Sequence, residues 1–578
     1  MKKVALVALA AILASTSFVA CDREGGEAVQ SDKTQLYVTA FEGGYGTDWL
    51  KEIKTRFEAA YANVSFEEGK MGVQVMIKPE RNLTHQNLVQ DLDGSNQEIY
   101  FTEAVNYYDL QGRGLLYDIS GAVTKPLNYD FKTETTVAGE ETASIESKMR
   151  DVHKNYYKAD DGKYYGIPFY EANYGIVYDI DLFEEEGLYF AAEGYGNKKG
   201  FVKSKDEPRS KGPDGKSPSA DDGLPATYDE FFKLCDYMVG KGIVPITWTG
   251  AANYMNTVVE ALHADYEGEE QMRINYTQNG LATNLVESIN ADGTVNTYKE
   301  LITEENGYLT WTKQAGKYYG LTFAERLIAN DKYYTKADVT SGSYEHIDAQ
   351  TAFVLDKFIK GKSPIGMLID GSWWHNEASE AFTSGVQNYG QQAGAANRKF
   401  GFMPLPKATP DKVGEEYTIL ETNSSICFVN GNLNPKKEKA VFEFLQFCHT
   451  NQSLSAFTTS TLTCKPYTYT MDPAEVAAMP YWGRELYRLH TEANFMASYS
   501  KTEVYKVNAG YFTEYFNAKM FHSIVTNAKG EEITVSVVPS AMLADKISAK
   551  EYFEGLSRYL TADRWQKEFL NFGTSSAQ

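Results

Sequence analysis

β-rich runs alternate along this chain with stretches whose apolar positions recur at helical spacing. Q-L-Y-V-T-A-F (Gln35 to Phe41) reads as a strand closed by the turn Gly43 to Gly46. In the next stretch Trp49 or Leu50, Ile53, Phe57 and Tyr61 repeat at helical spacing, with Thr47 placed to cap the helix. G-V-Q-V-M-I-K-P (Gly72 to Pro79) and Glu98 to Glu103 read as strands, with a helix over Leu83 to Leu92 between them. Strands alternating with helices predict an α/β fold with a parallel sheet, its ligand groups in the loops after strand C-ends. Residues 191–224 and about 264–310 lack that rhythm and read as insertions. Thr418 to Val429 is strand-like, Asn434 to Phe447 is helical, and Ile547 to Phe569 has the pattern of a strongly amphipathic helix.

The chain opens with Lys2 and Lys3, an apolar run from Val4 to Leu13, and small residues before Cys21. That run is too short to span a bilayer and reads as a secretory signal over residues 1–20. Cys21 after F-V-A resembles the lipobox of bacterial lipoproteins, in which the cysteine becomes the lipidated N-terminus; the alternative is an ordinary signal with Cys21 unmodified. Residues 21–35 read as a flexible tether. No later run of eighteen apolar residues exists, so the body is expected outside the cytoplasm as a monomer held to the membrane by acyl chains.

Composition narrows the classes. Fifty-six Lys and Arg face 78 Asp and Glu, a net charge of −22, which repels polyanions and argues against a nucleic-acid partner. Forty-one tyrosines supply flat faces with a hydroxyl, suited to recognition as well as to packing. The eight histidines have no ligand spacing and no catalytic or cofactor motif occurs, so neither metal nor cofactor is expected. The carboxylates of Asp214, Asp221 and Asp222 match no calcium-loop template and read as a solvated loop. Cys235, Cys427, Cys448 and Cys464 read as free buried thiols, with Cys448 and Cys464 the one pair to check for a disulfide.

Five segments in order carry a resemblance: Tyr164 to Leu188, Leu224 to Phe231, Phe358 to Trp374, Phe400 to Pro406 and Asn434 to Leu445. Together they resemble the carbohydrate-binding branch of bacterial ABC-transporter solute-binding proteins, the extracellular family that includes maltose-binding protein. The resemblance implies a two-lobed periplasmic-binding-protein fold of type II, with 36–168 and 404–463 in one lobe and 169–403 and 464–578 in the other. Chain crossings would lie near Ile167 to Tyr178, at G-F-M-P-L-P and near Thr463 to Pro466. It also implies capture of an oligosaccharide in the interlobe cleft by hinge closure, followed by delivery to the permease subunits of an importer.

A sugar offers C–H faces to aromatic rings and hydroxyls to carboxylates and amides. Trp373 falls where the family stacks a sugar, and Trp374 is its neighbour within an error of one position. Asp370 either bonds a hydroxyl or caps the turn. Tyr45 replaces the charged pair that the maltose-binding relative carries there, and Glu103 follows a strand where that relative has a tryptophan; both departures argue against a copy of maltose recognition. Trp49 either faces ligand or packs its helix. Glu171 lies near the family's crossing-strand glutamate, with Asn173 and Tyr174 beside it. Trp248 ends a strand at a cleft rim or in a core, and Glu421 and Asn423 flank the return strand. The rival readings are the same fold with a peptide or other small solute, and a secreted glycoside hydrolase built on two positioned carboxylates.

Overall fold

The structure, a computed structural model, describes residues 27–103, 105–127, 142–251, 253–421, 425–513 and 519–571. The first sheet has the order β2-β1-β3-β12-β4, formed by β1 (Thr34–Phe41), β2 (Val73–Glu80), β3 (Ile99–Thr102), β4 (Ile167–Pro168) and β12 (Ile426–Val429). Its first three strands are parallel, and β12 runs antiparallel to β3 and β4. Six of the eight residues of β1 are buried, the pattern of a strand covered on both faces. The second sheet has the order β10-β5-β9-β6, from β5 (Tyr174–Asp179), β6 (Val244–Thr247), β9 (Ile365–Gly371) and β10 (Phe400–Met403). The expected α/β architecture in two lobes is thus present, one lobe around each sheet.

Local chemistry explains most element ends. The helix Asp48–Ala60 buries Trp49, Leu50, Ile53 and Phe57 on one face. Thr47 does not cap it as expected: its ψ of 4° departs from the extended backbone that turns a capping hydroxyl toward the first turn. Thr84 and Thr227, both extended, do cap their helices. The terminal amphipathic segment is two helices, Ala549–Tyr559 and Ala562–Glu568, because Thr561 leaves the first and caps the second.

The chain leaves the first sheet after β4 and enters the second at β5, so residues 169–173 form a crossing. The segment G-F-M-P-L-P supplies β10, an edge strand inside the second sheet, because Phe400 and Phe402 alternate into its core. The chain reaches the first sheet again only at β12, after β11 (Thr418–Glu421), which pairs in parallel with β13 (Asn494–Ala497). A backbone bond from Glu171 N to the Cys464 carbonyl, 2.9 Å, ties the segment around Thr463 to Pro466 to this crossing.

The segment from 464 onward serves both lobes. Tyr499 stacks on Tyr156 of the first lobe at 4.4 Å, whereas Phe553 meets Tyr318 of the second at 5.5 Å. Residues 191–224 lack periodicity yet are pinned, with Phe201 stacked on Tyr237 at 4.0 Å and Arg209 over Tyr189 at 3.6 Å. The stretch 264–310 contains the end of the helix Tyr254–Thr277, broken at Gly268 (φ 72°), and the hairpin of β7 (Gly280–Ile289) and β8 (Val295–Ile302). All four described cysteines are buried free thiols, so Cys448 and Cys464 are not bridged. Among the described residues no helix is long and apolar enough to cross a membrane. Cys21 and Asn423 lie outside the described residues.

Candidate functional site

The two lobes meet where the turn after β1 faces the turn after β9. Tyr45, from the first lobe, is hydrogen-bonded through its hydroxyl to Ser372 Oγ at 2.9 Å and donates to the Glu171 carbonyl at 3.2 Å. Asn376 Nδ2 donates to the Gly44 carbonyl at 2.9 Å. A Cβ on Gly44 would stand 2.8 Å from Trp373 Cβ, so glycine there allows the backbone of one lobe to approach a side chain of the other. Ser372 also joins the lobes to the crossing, since its N–H donates to the Asn173 carbonyl at 3.0 Å and its carbonyl accepts from Trp482 Nε1 at 3.3 Å.

Trp373 is half-buried beside this seam, with its ring over Gly371, where any side chain would collide with it. Its edge meets Tyr174 at 4.7 Å, and Tyr174 meets Tyr254 at 5.4 Å. Asp370 is buried at the end of β9; Oδ1 accepts from Gly371 N at 2.7 Å and Oδ2 from Gln350 Nε2 at 3.0 Å. The same Gln350 nitrogen donates to Glu377 at 2.8 Å. Burial, reinforced by the charge of Glu377, pushes the Asp370 carboxyl well above its ordinary range. Burial likewise raises Glu377, opposed by His346.

Glu103, half-buried at the end of β3, belongs to the same neighbourhood. Burial is the main reason the Tyr45 and Tyr254 phenols are raised far above their usual value, and the charges of Glu103 and Glu377 push both in the same direction. The geometry therefore gathers Tyr45 and Glu103 from one lobe with Asp370, Trp373 and Tyr174 from the other.

Other expected positions are packed into the interior. Trp49 is enclosed by Phe101, Phe169 and Phe457 at 5.1 to 5.4 Å, and by the Lys465 ammonium at 4.7 Å. Trp374 is fully buried among Phe353, Phe400 and Trp482, and Trp248 packs on Tyr334 at 5.0 Å. For these three the packing reading describes what the rings touch. Asn173 is buried with its Nδ2 lacking a hydrogen-bond partner.

Glu171 is buried in an ion network: Arg150 Nη2 stands 2.5 Å and His490 Nδ1 2.7 Å from its Oε1. Burial alone would raise its pKa, but Arg150 and His490 hold it below the ordinary value. Arg150 also approaches Glu421 at 3.7 Å, and Glu421 bonds His153 at 3.1 Å. Glu171, Cys464 and His490 bring ligand atoms within 4.8 Å of one another. The Arg150 guanidinium already contacts both Glu171, at 2.5 Å, and His490 Nδ1, at 3.1 Å, and its positive charge disfavours a cation there. The acids at Asp214 and Asp221 bond within their loop, Asp221 accepting from Asp214 N at 3.0 Å. A cavity of about 640 Å³ elsewhere, at the Gly268 break, is lined by Glu267, Glu270, Arg273, Glu416 and Asn494 among others and includes none of the expected site residues.

No family model and no curated protein sequence matches this chain. Solved structures similar to it include maltose-bound MalE3 of T. maritima, with 14% identity, a TM-score of 0.48, and coverage of 92% of this chain and 99% of that one. The binding protein MsmE of Bacillus subtilis, in an open conformation, has 12% identity, a TM-score of 0.48 and coverage of 93% and 99%. The apo form of RafE from Streptococcus pneumoniae has 15% identity, a TM-score of 0.47 and coverage of 86% and 97%.

Sequence reasoning did not find Ser372, Gln350, Glu377 or Tyr254. Glu377 carried a faint signal, one short helix after Trp373; Gln350 carried none, because only the fold sets it against Asp370.

Proposed function

We propose that this protein is a non-catalytic solute-binding protein that captures a carbohydrate between its lobes. In this reading it is anchored to the membrane through Cys21 and delivers its ligand to the permease of an ABC importer. The observation that carries the reading is Trp373, a half-buried indole at the seam that meets the edge of Tyr174 and lies against Gly44 of the facing lobe. An indole face suits the C–H face of a sugar, while Glu103, Asp370 and Asn173 offer acceptors and a donor for its hydroxyls. Because Tyr45 and Ser372 come from different lobes, a ligand touching both would favour the closed arrangement over an open one by its differential contacts.

The test is a thermal-shift screen against oligosaccharides, with recovery of the ligand. A ligand at a hundred times its Kd stabilises the native state by about 2.7 kcal/mol. A shift with one glycan class, lost in Trp373→Ala, with the glycan recovered intact, supports the reading. The hydrolase reading has one foothold, the Asp370 and Glu377 carboxyls that reach the same amide nitrogen; released monosaccharide would favour it. A shift with peptides alone would remove the carbohydrate assignment.

A further inference from the structure

The cavity at the Gly268 break, about 640 Å³, lies apart from the seam and is built largely from the stretch 264–310, outside the segments that carry the family resemblance. Six carboxylates line it against one cation, Arg273. Three of the six are paired: Asp265 with Lys407 at 2.9 Å, Glu415 with Lys412 at 2.9 Å, and Glu269 with Arg273. Among the described residues Glu267, Glu270 and Glu416 form no ion pair, and Glu267 accepts only from neutral donors, Gly316 N at 2.8 Å and Asn284 Nδ2 at 2.5 Å. Among the described residues Glu171, Cys464 and His490 are the one group of three with ligand atoms within 4.8 Å of one another, so no three carboxylates of this cavity can share one metal ion. Their negative charge is spread along the cavity, which suits several spaced positive charges.

The rim adds an apolar surface. Ala282 and Ile302 of the β7–β8 hairpin are fully buried, whereas their neighbours Leu281 and Leu301 point outward, 50% and 62% exposed. Scattered single leucines on a surface are ordinary. Here, of seven large hydrophobic residues exposed among the described residues, these two are direct cross-strand partners, and Leu281 also lines the cavity. One surface therefore runs from the acidic cavity across Leu281 to Leu301. A small cation would use only the cavity. We propose that this surface docks an extended basic segment of a partner protein, with its lysine or arginine side chains in the cavity toward Glu270 and Glu416 and its apolar side chains covering Leu281 and Leu301.

The test is fluorescence anisotropy of the purified protein with three labelled six-residue peptides: alternating leucine and lysine, alternating serine and lysine, and alternating leucine and glutamate. The leucine–lysine peptide should bind at least ~tenfold tighter than the serine–lysine one, because two leucines are covered, and the glutamate peptide should not bind. Leu281→Ser combined with Leu301→Ser should abolish the leucine advantage. Glu270→Gln combined with Glu416→Gln should weaken both lysine peptides at least ~threefold and flatten their salt dependence. All four side chains are exposed, so neither double variant should disturb the fold. Binding that either double variant leaves unchanged places the peptide elsewhere and overturns the proposal. Spermidine that binds as tightly as the leucine–lysine peptide and displaces it also overturns the proposal, in favour of a free polyamine.

Discussion

Lys465 is the most exposing test of the interior. Its ammonium is buried at 1% exposure with no hydrogen-bond partner, inside rings of Trp49 (4.7 Å), Phe457 (4.9 Å), Phe101 and Phe169 (both 5.4 Å). Burial lowers its pKa from the ordinary 10.5 to about 8, a drop equivalent to about 3 kcal/mol against the charged form. Cation–π attraction offsets part of this, at ~1 kcal/mol overall. Lys465→Met keeps the stem and removes the charge, so at pH 7 it should stabilise the protein by about 2 kcal/mol, or roughly 2 °C in Tm for a chain of this size. The sign with pH follows from linkage. A lysine whose folded pKa lies below its unfolded value penalises the fold fully below about pH 8, and the penalty fades as pH rises toward 10.5. Calorimetric Tm values for wild type and variant should therefore converge between pH 7 and pH 10. A variant less stable at pH 7, or a gap that does not change with pH, would refute the reasoning and show the cage to be a net attraction for the ammonium.

Tyr45→Phe removes the hydroxyl that bridges Ser372 and the Glu171 carbonyl across the seam. Loss of about 1 kcal/mol should shift the lobes toward an open arrangement, seen as a larger radius of gyration by small-angle scattering; an unchanged radius with unchanged ligand affinity would count against the seam as a closure contact. Glu171→Gln leaves Arg150 beside an uncharged partner in the interior and should destabilise by about 3 kcal/mol at pH 7. Because Arg150 and His490 depress its pKa, the contribution of Glu171 is present above the unfolded carboxylate value and is lost as pH falls through the lower folded one. The Tm difference between wild type and variant should therefore narrow in acid, and a constant difference from pH 7 to pH 3 would exclude the ion network as its source.

Much of the fold was legible in the residues themselves. The β-rich run at β1 specifies a strand buried on both faces, and the apolar stripe Trp49, Leu50, Ile53, Phe57 specifies a helix because its geometry places those side chains on one face. The α/β alternation could be read for the same local reason, whereas Trp373 and Asp370 were singled out through the family resemblance of D-G-S-W-W. Whether an aromatic residue faces a seam or a core was not legible: Trp373 and Trp374 are adjacent and alike, yet one is half-buried at the lobe interface and the other fully enclosed by Phe353, Phe400 and Trp482. Nor was the return crossing, since Phe400 and Phe402 make as good a strand within a sheet as between lobes. The pairing of Asp370 with Glu377 through Gln350, and of Glu171 with Arg150 and His490, joins residues from 7 to 319 positions apart in the chain. Local pattern determines what each segment can form. Which charged and aromatic groups then share one neighbourhood depends on how the sheets pack and where the crossings bring the lobes together, and that lies beyond the reach of sequence spacing.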